Sequence, residues 1–233
     1  MYHSITIGDK NTWDDWHLIP SSRPLFAPPS VNTSYIDIPG MDGQLDASDA
    51  LVGYATFKNR SGSWEFVVAD GYGTWNQRYM EILEYLHGKK LKAILEDEPE
   101  YYYEGRFTVN SWKSGENWSG ITIDYNVGPY KKELHSTMDE WEWDTFNFEN
   151  GVIQSLNGLT VSGSLTATIT GNKQPVTPSF TTSAEMQVAF NGSTYTLPQG
   201  TSKVAKIVVK EGANVLTFTG YGTVSIDYRG GRL

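Results

Sequence analysis

The sequence predicts a mainly β chain organised as two β-rich domains, the first with one helix on its sheet and the second a β-sandwich or jelly roll. Three observations carry this. Short runs of β-type residues recur along the chain, each closed by Gly, Pro, Asn or Asp. Only one segment has the 3.6-residue apolar period of a helix. The 233 residues are 39% hydrophobic, 13% aromatic and 19% charged, enough for a packed core and wrong for a disordered chain or a long coiled coil.

In the first half, Tyr35-Ile36-Asp37-Ile38 ends at Pro39-Gly40, with Asp42-Gly43 just beyond. Trp64 to Val68 alternates in bulk and stops at Asp70-Gly71, and Tyr101 to Val109 and Ile121 to Val127 read the same way. The helix begins after Thr74, a capping residue with Gln77 three positions on, and ends at Gly88. Its apolar residues Trp75, Tyr79, Ile82, Leu83 and Leu86 fall on one face. Leu91 to Leu95 then returns as a strand.

The second half reads as strands at Ser164 to Thr170, Met186 to Phe190, Lys203 to Lys210, Val215 to Thr219 and Thr223 to Tyr228. Turns are predicted at Asn191-Gly192, at Glu211 to Asn214 and at Gly220-Tyr221-Gly222, because Asn and Gly tolerate positive φ. A change of composition after Gly128-Pro129 sets the division. The expected parts are a domain at 1–130, a linker at 131–141 and a β-sandwich at 142–233.

Charge narrows the function. The chain has 18 basic and 27 acidic residues, and 18 of the acidic ones stand in residues 1–130 against 10 basic. No basic face is available to displace counterions from phosphates, which argues against sequence-specific DNA binding. With no cysteine, disulfides, thiolate metal sites and cysteine nucleophiles are excluded. The N-terminal residues lack the pattern of a signal peptide, and no run approaches the roughly 18 apolar residues of a membrane span.

Catalytic motifs are scarce. His3, His17, His87 and His135 lack metal-ligand spacing, and His87 suits a helix C-terminus. Glu96-Asp97-Glu98-Pro99-Glu100 reads as a solvated turn. Asp14-Asp15, between Trp13 and Trp16, has the residue types of a sugar cleft, but a packed strand-to-loop junction is favoured. The run Asp37 to Asp46 lacks the ligand order of a calcium loop. Gly71-Tyr72-Gly73 precedes the helix without the lysine of a phosphate loop, and no Gly-x-Ser-x-Gly elbow exists. Three Asn-x-Ser/Thr triplets, at Asn32, Asn117 and Asn191, are read as chance matches. Trp141 and Trp143 could stack on a sugar or seal a contact between domains, the contact being favoured. The residues therefore point to a binding or structural protein rather than an enzyme.

Several stretches in order resemble the distal tail (Dit) proteins of siphophages and prophages of Gram-positive bacteria. They are Ser4 to Trp16, Tyr35 to Gly43, Asn59 to Phe66, the helix end Tyr85 to Lys90, Leu95 to Arg106 and the closing Ile226 to Leu233. The resemblance implies a tail-tube-like β-sandwich with a flanking helix, assembling as a hexameric ring, and an outward galectin-like sandwich. It further implies a hub in the virion tail tip that joins the tail tube protein to the tail-tip protein, with receptor-binding proteins or a host-surface glycan as further partners. DNA would pass through the ring unbound. No enzyme activity, cofactor, metal or membrane insertion is expected, and assembly would take place in the host cytoplasm.

Within that frame Trp13, Trp16, Ile38, Pro39, Met41 and Asp42 are the candidate subunit contacts, since large aromatics near exposed turns are typical interface anchors. Trp141 and Trp143 are the candidate glycan-stacking pair. The rival readings are a carbohydrate-binding accessory tail protein, a polysaccharide hydrolase with paired carboxylates and a tail tube protein.

Overall fold

The computed structural model describes residues 3–68, 75–114, 119–139 and 155–233. The chain divides into two compact units, residues 1–131 with Leu233 and residues 132–232. Both are β-sandwich-like, and one helix is present among the described residues.

The first unit contains β1 (Ile5–Ile7), β2 (Lys10–Asn11), β3 (Leu18–Pro20), β4 (Tyr35–Ile36), β5 (Leu45–Asp46), β6 (Arg60–Val68), α1 (Trp75–Leu86), β7 (Lys90–Leu95), β8 (Tyr101–Ser114) and β9 (Ser119–Val127). Seven strands of this unit lie in one antiparallel sheet in the order β2-β1-β7-β8-β9-β6-β3. Alternation decides its buried face: Trp64 and Phe66 on β6 meet Phe107 and Val109 on β8 and Ile121, Ile123 and Tyr125 on β9. The helix adds Trp75, Ile82 and Leu86 to that core, and Tyr79 and Leu83 pack partly against it. Gly88, at φ +74°, stops the helix as a left-handed C-terminal residue. The proposed cap Thr74 and the Gly71-Tyr72-Gly73 loop lie outside the described residues, as does the Asp70-Gly71 turn.

At the start of the second unit β10 (Lys131–Glu133) pairs with β17 (Gly231–Arg232), Glu133 N–H donating to Gly230 O at 3.2 Å. The rest is β11 (Leu159–Gly171), β12 (Ser179–Thr182), β13 (Met186–Phe190), β14 (Ser193–Leu197), β15 (Gly200–Lys203) and β16 (Gly212–Asp227). Strands β11 and β16 pair from Leu159↔Val224 to Gly171↔Gly212, and β16 serves two layers. Its first half pairs β13 at Val188↔Phe218 and its second half pairs β12 at Phe180↔Ile226. The hairpin curls between them, where Gly163 faces Gly220 and Gly222 faces Val161. Gly220 and Gly222 take φ +146° and +135°, values open to glycine alone.

Two second-half expectations are corrected. Gly220-Tyr221-Gly222 is a bend within one long strand and not a turn between two, because β11 pairs continuously past it. Lys203 to Lys210 is not a strand beyond Lys203. Ile207 N–H closes a turn onto Val204 O at 2.9 Å, and Ile207 and Val209 plug the core from a loop bridged to Val176. Their apolar character is that of core residues, which a β pattern alone does not distinguish. Asn191-Gly192, both at positive φ, makes the tight β13–β14 turn.

Candidate assembly surface

Residues 28–59 form an arm of the first unit that begins after Ala27 and ends before Arg60. None of them is buried. The arm opens with Pro28-Pro29, and its base is a short ladder. Val31 bridges Phe57, Asn32 N–H donates to Thr56 O at 2.8 Å, and Lys58 N–H donates to Ser30 O at 2.8 Å. The stem is the β4–β5 pair, with Tyr35 opposite Asp46 and Ile36 opposite Leu45. The tip turns at Gly40 and Gly43, at φ +86° and +81°, where the Gln44 amide donates to Asp37 Oδ1 at 2.8 Å. A second small lobe follows: Ser48 N–H donates to Asp46 Oδ1 at 2.9 Å and Gly53 N–H to Asp49 O at 2.7 Å.

The arm's composition runs against its exposure. Val31, Tyr35, Ile36, Ile38, Met41, Leu45, Leu51 and Val52 all stand in solvent, Leu51 at 98% exposure. Residues 28–57 hold four carboxylates, Asp37, Asp42, Asp46 and Asp49, and no basic side chain. An isolated two-stranded ribbon is marginal in water, and this one has no core of its own. Apart from Lys58 at its base, the exposed surface of the arm is therefore apolar and acidic.

The root, by contrast, is tightly built. Phe26 sits in an aromatic box with ring centroids 3.9 Å from Tyr103, 4.8 Å from Trp64 and 4.8 Å from Tyr125. Trp64 Nε1–H donates to Leu25 O at 3.0 Å, and Ala27 N–H donates to the Tyr125 hydroxyl at 2.9 Å. Tyr125 fits because its partner across the ladder is Gly62, where a Cβ would overlap the phenol. Burial, with the Glu98 charge adding to it, pushes the Tyr103 hydroxyl up to about 12.

Among the expected contact residues, Ile38, Pro39, Met41 and Asp42 all lie exposed on the arm tip. Trp13 is half-buried in a tight turn against His17, with ring centroids 5.8 Å apart. Trp16 is a correction. It is fully buried beside Tyr85, in edge contact at 5.6 Å, and belongs to the core of its own unit. Trp141 and Trp143 lie outside the described residues.

Asp15 is committed to the same Trp13–Trp16 turn. It accepts Asn11 N–H at 2.8 Å and pairs with Lys10 at 2.8 Å, which holds its carboxyl below the ordinary range. In the Glu96–Glu100 turn, Glu96 accepts Ser4 N–H at 2.6 Å, while Asp97 pairs with Arg23 at 2.8 Å and His3 at 3.0 Å. Among the described residues no three His, Asp or Glu converge as metal ligands, and no helix is long and apolar enough to cross a membrane.

Sequence reasoning missed Phe26, Arg60, Leu45, Leu51 and Val52. The available signal was Pro28-Pro29 followed by a long stretch with acidic but no basic residues. In the second unit, one four-strand outer face carries Ser164, Thr166 and Thr168 on β11, Thr217 and Thr219 on β16, Gln187 on β13, and Thr194 and Thr196 on β14. No charged side chain occupies the outward positions of this face.

No protein-family model and no curated protein matches the sequence. Among solved structures, the chain is similar to the crystal structure of SPP1 Dit (gp 19.1), described as a paradigm of the hub adsorption apparatus in phages infecting Gram-positive bacteria. Identity is 14%, the TM-score is 0.57, and the match covers 98% of this chain and 99% of that one. The two chains share their fold over both units.

Proposed function

We propose that this protein is a structural hub of a phage tail tip, without enzymatic activity. A domain of residues 1–130 forms a hexameric ring, residues 131–141 serve as a linker, and a sandwich domain of residues 142–233 faces outward. The ring joins the tail tube protein to the tail-tip protein and offers a platform for receptor-binding proteins. The observation that carries this reading is the fold shared with SPP1 Dit along nearly the whole of both chains. The solvent-facing apolar arm supports it, since a closed ring supplies the neighbour such an arm needs. In this reading Ile38, Pro39, Met41 and Asp42 contact the next subunit, with Trp13 at the margin. Some carboxylates of residues 1–130 line the channel, so that DNA slides through unbound. The assembled protein resides in the virion and is put together in the host cytoplasm.

Light scattering with negative-stain imaging of the same fractions tests this. The expected species has about six times the 26.0 kDa chain mass and a central opening. A strict monomer that tube and tip proteins also fail to assemble overturns the reading, and a basic lumen overturns the channel assignment.

A second reading, carbohydrate binding by the outer unit, is favoured by the charge-free hydroxyl face on β11, β16, β13 and β14. Hydroxyls that both donate and accept suit a neutral polysaccharide. A glycan array with the full chain is expected to give hits that the pair Thr166→Lys and Thr217→Lys abolishes. No hit removes this reading and leaves the hub.

A further inference from the structure

A charged side chain outside the arm holds its roots. Arg60 is the first residue of β6, where the arm re-enters the fold, and it is 5% exposed. Its Nε–H donates to Pro129 O at 2.8 Å, its Nη1–H donates to Ala27 O at 3.3 Å, and its guanidinium lies 5.4 Å from the centre of the Tyr103 ring. These positions are the chain's exits. Ala27 is the last residue before the arm, and Pro129 follows the end of β9, just before the second unit begins.

We propose that Arg60 is a positioning residue that fastens the arm's two roots to the end of β9, so that the arm and the 128–131 segment move together. The planar fork of a guanidinium can hold two carbonyls at fixed directions, whereas a lysine ammonium is a point charge and cannot reproduce that geometry. A buried cation bound only to neutral acceptors is a costly choice for stability alone, since its desolvation is not offset by an ion pair. Nη2 is enclosed and makes no hydrogen bond, and Glu98 Oε2 is enclosed and unbonded too. Both side chains act on Tyr103. The fastening thus uses two of the three guanidinium nitrogens, while Glu98 holds Lys131 at 2.8 Å through its other oxygen.

The role of the arm in ring contacts rests on the proposed hub function, but the fastening itself is read on the unassembled full chain. Hydrogen exchange followed by mass spectrometry compares wild type with R60K, which keeps the charge and most of the stem, and with R60Q, which keeps a neutral donor. The expected result for R60K is exchange about tenfold faster in peptides covering Asn32, Ala47 and Lys58. The 128–131 peptide accelerates by a similar factor, while Trp64 and Ile123 in the sheet keep their protection. R60Q shows the same pattern. Unchanged arm exchange in both variants overturns the proposal. So does acceleration of the arm without the 128–131 segment, or uniform acceleration of arm and sheet, which would mark Arg60 as an ordinary core residue. The hub reading fails separately, by the mass of the wild-type particle.

Discussion

Two hairpins in this molecule follow opposite rules. In β11–β16 almost every second residue enters a core, from Val161, Ala167 and Ile169 on one strand to Leu216, Phe218, Val224 and Ile226 on the other. In β4–β5 and its loops no residue is buried, yet the arm has Ile36, Ile38, Met41, Leu45 and Leu51 in solvent. Both are apolar by composition. They differ in whether the described residues of their own unit cover them. Alternation marks a hairpin that closes its own core, whereas apolar residues on both sides of a ribbon, interspersed with acids, mark one that its own strands do not cover.

The comparison breaks most easily at the long hairpin. Phe218 is fully enclosed, lies opposite Leu165 and Val188, and meets Phe180 edge-on at 6.1 Å. Phe218→Ala is expected to destabilise the second unit by about 3–5 kcal/mol in urea denaturation. An effect under about 1 kcal/mol would mean that the core is not packed as described.

A smaller loss is expected from Gly220→Ala. The new Cβ would stand 2.9 Å from Met186 Cβ at a φ that side chains rarely adopt. The cost is about 1–3 kcal/mol, read as a shift in denaturation midpoint at unchanged slope. A neutral result would show that the bend does not need glycine.

How much of this was legible in the sequence follows the same divide. The helix was readable because Trp75, Ile82 and Leu86 share one face, and the tight turn was readable because Asn191-Gly192 permits only a few backbones. Short-range signals fix such elements. Trp16 reads as a surface contact because a tryptophan in a short turn looks the same in sequence whether its ring faces out or tucks beside Tyr85. Gly220-Tyr221-Gly222 reads as a turn because glycine marks any departure from ordinary φ, and only the continuous pairing of β11 shows a bend. Phe26 and Arg60 were invisible for a related reason. Their partners Tyr103, Tyr125 and Pro129 lie far away in sequence.

Elsewhere in the first unit a segment is held by charge. Asp97 accepts Arg23 and His3, and that pairing, Arg23 first, holds its carboxyl below the ordinary 3.8. With the folded-state pKa below that of the unfolded chain, the pair stabilises the fold above that range. The contribution fades as pH falls through the lowered value. Hydrogen exchange between pH 5 and 3, corrected for intrinsic rates, is expected to loosen residues 4–7 of wild type before the Trp64 and Ile123 amides. Asp97→Asn should make residues 4–7 looser at pH 5 and remove most of the pH dependence there. Equal loosening of strand and sheet would assign the acid sensitivity to other groups.

The sharpest test has the smallest expected effect on the isolated chain. Ile38→Ser, Met41→Ser and Leu51→Ser together remove three large apolar side chains, all exposed and members of neither core. Surface changes of this kind should alter stability by no more than about 0.5 kcal/mol, and solubility should rise as apolar surface is lost. Assembly should fall steeply, because side chains that contribute nothing within the chain are those available to a neighbour. A triple variant that still forms the wild-type particle would take the contact away from the arm. One that unfolds would show that the arm packs on its own chain after all, and the contrast between the two hairpins would be lost.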